Sequence, residues 1–183
     1  MTKYFIFIPN LLSIVRIALI YPILNNIYLG NFKISVVFFL IASLTDALDG
    51  FLARKMHWQT DLGQILDPVA DKLLLSGTIF ILWLNNFIPF YIFVIFITRD
   101  AAILTGAAIQ MSIIESDTPA PNLLGKLTTS LQIIYISLIF LNEIFELNLK
   151  FNFLDILIIF VTILSLCVYA FNWYRDLRKY HNE

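Results

Sequence analysis

Six long apolar segments dominate this chain of 183 residues. A helix of roughly 20 apolar residues crosses a bilayer core of about 30 Å with every backbone polar group paired internally. The pattern predicts helices near 9–28, 33–55, 66–85, 88–112, 127–145 and 152–173. Composition agrees, because only 14% of the residues are charged, against about 25% in an ordinary soluble domain. The sequence therefore predicts an all-α integral membrane protein with six transmembrane helices.

Clusters of turn residues separate these segments. They are Leu29-Gly30-Asn31, the polar stretch 57–63, Asn85-Asn86 and the connector 115–122, which contains Pro119 and Pro121. We see no internal repeat and no second domain, so residues 1–183 are predicted to form a single membrane domain. The apolar start has no small-residue cleavage pattern, and we expect the first segment to be retained.

The distribution of basic residues predicts the orientation, because cytoplasmic loops are enriched in Lys and Arg. One set of segment ends carries Lys3, Arg54, Lys55, Lys126, Arg175, Arg178 and Lys179. The opposite loops carry Lys33 and Lys150. Six spans place both termini on one side, which is predicted to be cytoplasmic. The net charge of −1 gives no sign of a nucleic-acid partner.

Four aspartates stand out, because charged groups are costly at membrane depth. Asp46 and Asp49 precede Gly50, Ala53 and Arg54 in the second segment. On a helix these positions place two carboxylates and two small residues on one face. Asp67 and Asp71 lie one turn apart on the next helix, and Gly63 lies in the connecting turn. If the two helices pack closely, the four carboxylates converge.

Four carboxylates in one partly dry pocket cannot all stay ionised without cations, since each raises the proton affinity of the others. Oxygen ligands prefer Mg²⁺, Mn²⁺ or Ca²⁺. Two divalent ions would balance the four charges. The alternative without a metal is that these aspartates are helix caps or surface charges. Asp67 before Pro68 indeed has the pattern of an N-cap followed by proline at the first helical position.

The arrangement D-x-x-D-G-x-x-A-R, eight residues, G-x-x-x-D-x-x-x-D resembles, at every specified position, the signature of the CDP-alcohol phosphatidyltransferase family. IPNLLSIVRIALI and LDPVADKLLL also resemble family segments. The resemblance implies transfer of a phosphatidyl group from CDP-diacylglycerol to an alcohol, with release of CMP. It also implies Mg²⁺ or Mn²⁺, with two ions expected, and it suggests a homodimer.

The same resemblance implies roles for the motif residues. The metal ligands would be Asp46, Asp49, Asp67 and Asp71, and Asp71 would also be the general base. CDP would contact Asp46, Gly50, Ala53, Arg54 and Gly63. Gly50 and Ala53 leave room for the nucleotide, and Gly63 would let the backbone approach the substrate.

Cations outside the motif are candidates for binding the acceptor. Arg99 lies deep in the fourth segment, where a lone guanidinium would be costly, and Lys126 lies at the cytoplasmic entrance of the fifth. Both could hold a phosphate. The alternatives without a role in binding are a structural ion pair for Arg99 and an interfacial lysine for Lys126. Arg16 in the first segment is a weaker candidate of the same kind.

Several acceptors and one other class of protein remain open. IPNLLSIVRIALI and LGKLTTSLQ resemble family members that use glycerol-3-phosphate, whereas Arg99-Asp100 resembles those that use phosphatidylglycerol in cardiolipin synthesis. We expect glycerol-3-phosphate, with phosphatidylglycerol as the alternative, at the cytoplasmic face of a bacterial inner membrane. The different class is a polytopic cation transporter with the aspartates as cation ligands. A non-catalytic lipid-binding member of the family is a third hypothesis.

Overall fold

The computed structural model describes the backbone of residues 8–56, 61–113 and 123–182, and the side chains of 11–45, 48, 55, 69–103, 105, 124–171 and 174–175. Within these ranges the regular structure is entirely helical. The helices are α1 (Ile8–Tyr28), α2 (Phe32–Met56), α3 (Asp61–Leu84), α4 (Phe90–Ile113), α5 (Leu123–Phe145) and α6 (Asn152–Asn182). The predicted all-α class is confirmed.

The apolar character of the helices fits a membrane environment. In the described residues, three stretches are long and apolar enough to cross a bilayer: Leu11–Tyr28, Leu124–Phe145 and Asn152–Phe171. Large apolar side chains are also exposed, such as Phe153 at 76%. Such exposure suits contact with hydrocarbon. The chain is therefore a membrane protein.

Two of the predicted breaks are helix ends of the same type. Gly30 has a positive φ of 75°, its N–H donates to Ile27 O at 3.0 Å, and the next N–H, of Asn31, donates to Asn26 O at 2.8 Å. This is the Schellman arrangement, in which a left-handed residue satisfies the last carbonyls of a helix. Asn86, with a φ of 61°, ends α3 in the same way.

The start of α3 differs from the prediction. The helix begins at Asp61, five residues before the predicted 66, so Gly63 lies inside α3 and not in a turn. The N-cap interpretation of Asp67 is wrong for the same reason, since Asp67 and Pro68 are within the helix. An acidic residue at Asp61 suits a helix N-terminus, where the macrodipole is positive.

The bounds of α5 and α6 also differ. α5 begins at Leu123, so Lys126 lies in its first turn and not before it. α6 continues to Asn182, nine residues past the predicted 173. Its last turns contain Arg175, Arg178 and Lys179, and cations near a helix C-terminus are favourable. The apolar pattern ended before the helix did.

The helices group into two compact units, Met1–Ile88 with Glu143–Phe145 and Pro89–Asn142 with Glu146–Glu183. In the first unit α1 packs against both α2 and α3. Its core contains Ile23, Ile27, Ala42, Ile79 and Leu82, each at most 1% exposed. In the second unit α4 packs against α6.

Polar contacts fix α1 against its neighbours. Ser35 Oγ in α2 donates to Ile23 O at 3.2 Å. Asn85 Nδ2, just after α3, donates to Ile27 O at 3.2 Å and to Tyr28 O at 3.0 Å. Backbone carbonyls at the end of α1 thereby gain partners that an apolar environment would not supply.

We expect Gly30→Ala to lower the free energy of unfolding by about 1 kcal/mol, because an L side chain is disfavoured in the left-handed region. No atom lies within 4 Å of a Cβ built at this position, so the loss would come from the backbone alone. Thermal unfolding in detergent measures it. Gly30→Asn is the control, since Asn tolerates this conformation better. Equal stability of wild type and Gly30→Ala would contradict the prediction.

Candidate active site

The aspartate motif lies on two helices of the first unit. The backbone is helical from Asp46 to Arg54 in α2 and from Gly63 to Asp71 in α3. Helical spacing alone therefore places Asp46 with Asp49 on one face, and Asp67 with Asp71 on another. Seven motif side chains lie outside the described ones: Asp46, Asp49, Gly50, Ala53, Arg54, Gly63 and Asp67. Their convergence stays a prediction.

Asp71 is the motif aspartate whose side chain is described, and it forms an ion pair with Arg16. Arg16 Nη1 donates to Asp71 Oδ1 at 2.8 Å. The two side chains differ in burial, since that of Arg16 is 1% exposed and that of Asp71 is 51% exposed. The guanidinium therefore holds the carboxylate from inside the helix packing, and the carboxylate faces outward.

This carboxylate fits a site for a divalent cation. Carboxylate oxygens are the ligands that Mg²⁺ and Mn²⁺ prefer, and the exposure of Asp71 leaves it accessible. Among the described side chains, no three potential metal ligands lie together. Divalent metal ions are also what the resemblance of the aspartate motif to the CDP-alcohol phosphatidyltransferase family implies.

Arg99 joins α4 to α5 in the second unit. Its Nη1 donates to Asp100 Oδ1 at 2.6 Å, and its Nη2 donates to Gly125 O at 2.8 Å and to Thr128 Oγ1 at 2.8 Å. A longer contact of 3.3 Å reaches Thr129 Oγ1. Arg99 and Asp100 are 4% and 6% exposed. The structural ion pair that was the alternative interpretation of Arg99 is therefore present, with Asp100 as the partner, and α5 supplies further acceptors.

Two polar groups near this cluster have no partner among the described residues. Arg99 Nε is buried and makes no hydrogen bond to them, and neither does Nε2 of Gln132. Gln132 is 1% exposed and lies one turn beyond Thr128 on the same face of α5. Sequence reasoning missed Gln132, although a glutamine within an apolar segment is itself a signal. Lys126, in contrast, is exposed.

A second polar cluster, which sequence reasoning also missed, joins all three helices of the second unit. Asp155, in the first turn of α6, is 5% exposed. Its Oδ1 accepts from Tyr135 Oη at 2.7 Å and its Oδ2 from Tyr91 Oη at 2.9 Å. The Tyr135 ring packs edge-on against Phe151, with ring centroids 5.6 Å apart. The buried carboxylate is stabilised by these two hydroxyls and by the positive end of the α6 dipole.

We expect Tyr135→Phe to lower the free energy of unfolding by about 1–3 kcal/mol, because a buried carboxylate oxygen loses its donor. Tyr91→Phe is the matched control. Tyr91 is 52% exposed, so water can replace its hydroxyl and the loss should be smaller. Thermal unfolding of the two variants in the same detergent makes the comparison. A larger loss in Tyr91→Phe would contradict this assignment.

Comparison with known proteins relates most of the chain to one family. A family model described as CDP-alcohol phosphatidyltransferase matches residues 6–172. The match includes the aspartate motif, Arg16, Arg99 and Lys126.

Individual relatives carry two enzyme names. CDP-diacylglycerol–glycerol-3-phosphate 3-phosphatidyltransferase of Bacillus subtilis is 35% identical over 178 residues, which cover 86% of this chain and 90% of the relative. The protein of the same name from Aquifex aeolicus is 32% identical over 180 residues, covering 94% and 98%. Cardiolipin synthase (CMP-forming) of Rattus norvegicus is 40% identical over 99 residues, covering 53% and 32%.

Proposed function

The chain belongs to the CDP-alcohol phosphatidyltransferase family, and from this membership we propose the reaction that it catalyses. The phosphatidyl group of CDP-diacylglycerol is transferred to glycerol-3-phosphate, giving phosphatidylglycerophosphate and CMP. The observation that carries the proposal is the near full-length match to relatives named for this reaction. The chain is a transferase of phospholipid biosynthesis, as the sequence predicted, and membership of this family selects the enzyme over a cation transporter.

The alternative acceptor is phosphatidylglycerol, which would give cardiolipin. The rat relative with this activity in its name aligns with 53% of the chain, whereas the bacterial relatives align with 86% and 94%. The comparisons therefore favour glycerol-3-phosphate. Both reactions release CMP, so the identity of the lipid product distinguishes them.

The aspartates supply the metal site in this proposal. Asp46, Asp49, Asp67 and Asp71 would hold two Mg²⁺ or Mn²⁺ ions, and CDP would contact Asp46, Gly50, Ala53, Arg54 and Gly63. Bound metal would lower the pKa of the acceptor hydroxyl and neutralise charge on the diphosphate. Support comes from the fit of an exposed Asp71 carboxylate to a hard cation.

Asp71 is proposed as the general base. The acceptor oxygen attacks the β-phosphorus of CDP-diacylglycerol, its proton passes to the Asp71 carboxylate, and the bond from phosphorus to the CMP oxygen breaks. Carboxylates are weak bases, so this transfer depends on correct placement. The ion pair with Arg16 gives that placement a structural basis.

Arg99 and Lys126 are proposed to bind the phosphate of the acceptor. Lys126 is exposed and lies in the first turn of α5. Arg99 is held by Asp100 and α5 through Nη1 and Nη2, and its buried Nε has no partner among the described residues. Fixed guanidinium and ammonium donors suit a phosphate.

The proposal includes the placement of the enzyme in the membrane. We propose six spans from the six apolar segments, and the positions of the basic residues support cytoplasmic termini and a cytoplasmic site. We place the protein in a bacterial inner membrane, as a single domain over residues 1–183. Homodimerisation stays a prediction from family resemblance.

The test of this proposal is the reaction itself. We expect purified protein with Mg²⁺ and CDP-diacylglycerol to release CMP with glycerol-3-phosphate, and not with phosphatidylglycerol, choline or inositol. EDTA should stop the release. Asp71→Asn should lower kcat at least about 100-fold, because an amide cannot accept the proton. Chromatography of the lipid product identifies the acceptor, and CMP release that persists in EDTA would contradict the metal mechanism.

Lys126→Met should raise KM for glycerol-3-phosphate about tenfold, because one charge-assisted contact to the phosphate is lost. KM for CDP-diacylglycerol should stay within about twofold. Lys150→Met is the matched control, since Lys150 is exposed and lies in the loop before α6. Steady-state kinetics measure both constants. An unchanged KM for glycerol-3-phosphate would remove Lys126 from the acceptor site.

A further inference from the structure

The ion pair between α1 and α3 gives Arg16 a function that its place in the sequence does not reveal. We propose that Arg16 is the positioning residue of Asp71, and that α1 is a structural part of the catalytic site. The inference rests on the role proposed above for Asp71. It replaces the interpretation of Arg16 as a residue that binds the acceptor phosphate.

The burial of the pair supports this assignment. The Arg16 side chain is 1% exposed and its Nη1 lies 2.8 Å from Asp71 Oδ1. A guanidinium buried among apolar helices is stable only with a partner. An acceptor phosphate that bound Arg16 Nη1 would have to displace Asp71. The exposed member of the pair is Asp71, at 51%, so the carboxylate is the end that meets a ligand.

The register of the helices fixes where Arg16 lies. α1 contacts α3 at Arg16 with Asp71 and at Leu24 with Gly77, and it contacts the residue directly after α3 at Tyr28 with Asn85. Residue numbers rise together, so the two helices run parallel. From the first contact to the last, α1 advances about 18 Å and α3 about 21 Å at about 1.5 Å per residue. Three matched contacts over this length prevent α1 from sliding along α3.

Gly77 marks a close approach between α3 and α1. A Cβ built on Gly77 would lie 2.9 Å from Leu24 Cδ1, closer than packed carbon atoms approach each other. A side chain at Gly77 would therefore require the end of the Leu24 side chain to move. Arg16 is two turns before Leu24 in α1, and Asp71 is less than two turns before Gly77 in α3.

The consequence for Asp71 is geometric. A carboxylate with one oxygen held by a rigid donor has a fixed plane, so its second oxygen also points in a fixed direction. Displacement of a reacting group by about 1 Å can cost about 100-fold in rate. Arg16 thus acts through Asp71 on the chemical step, without contact with the substrates.

Arg16→Lys tests the geometry with the charge kept, because an ammonium is a point donor and lacks the planar fork of a guanidinium. We expect kcat to fall about 10- to 100-fold while KM for both substrates stays within about twofold. Titration of the full-length protein in detergent with Mn²⁺, followed by the electron paramagnetic resonance of free Mn²⁺, should show severalfold weaker binding. Arg175→Lys, an exposed arginine in α6, is the matched control and should behave as wild type.

A double variant separates positioning from a general structural effect. Adding Arg16→Lys to Asp71→Asn should weaken Mn²⁺ binding no further, because two residues that act through one contact are not additive. Gly77→Ala provides independent evidence if Arg16→Lys does not fold. Gly77→Ala should lower kcat and leave KM unchanged. Adding Leu24→Ala to Gly77→Ala should restore kcat, because the smaller side chain leaves space for the new methyl group.

Three outcomes would overturn the proposal. The first is that Arg16→Lys keeps the kcat and the Mn²⁺ affinity of the wild type. The second is that Arg16→Lys raises KM for glycerol-3-phosphate and leaves kcat unchanged. The third is that the double variant Arg16→Lys with Asp71→Asn loses Mn²⁺ binding by the sum of the two single losses. The Mn²⁺ measurement needs no substrate. A wild-type protein that binds Mn²⁺ but releases no CMP would therefore refute the proposed function and leave the role of Arg16 to be decided by binding.

Discussion

A charge placed among apolar helices must be paired, and this constraint organises both units of the molecule. Arg16 is paired with Asp71 between α1 and α3, and Arg99 with Asp100 and the first turns of α5. Asp155 is satisfied by hydroxyl donors from α4 and α5. Each buried charge therefore joins helices that apolar packing alone would hold less specifically, since lipid competes for apolar contacts.

Most of the helical architecture could be predicted from the apolar periodicity and the turn residues. Gly30 and Asn86 end helices as expected, because both are residues that tolerate the left-handed conformation. The prediction failed where polar sequence is helical. The stretch after Asp61 and the last turns of α6 carry charges that an apolar pattern treats as loop, yet acidic residues at an N-terminus and basic residues at a C-terminus stabilise a helix.

The candidate site could be predicted only in part. The spacing of Asp46, Asp49, Asp67 and Asp71 identified the family, and the match over residues 6–172 confirms it. The partner of Asp71 could not be read from spacing, because Arg16 is 55 residues away and the contact depends on the register of α1 against α3. The hydrogen bonds from Tyr91 and Tyr135 to Asp155 could not be predicted either. The sequence shows only that Asp155 is an acidic residue in the first turn of a helix.

The abrupt helix ends have a mechanical consequence. α1 and α2 are joined through Gly30 by three residues, Leu29–Asn31, and the chain reverses within hydrogen-bonded geometry. A connection this short does not let the two helices slide along each other. We therefore expect α1 and α2 to move together as one rigid hairpin that can tilt. If this hairpin tilts about its turn, a passage for acyl chains between the hairpin and the neighbouring bilayer or helices would be widest at the end farthest from Gly30.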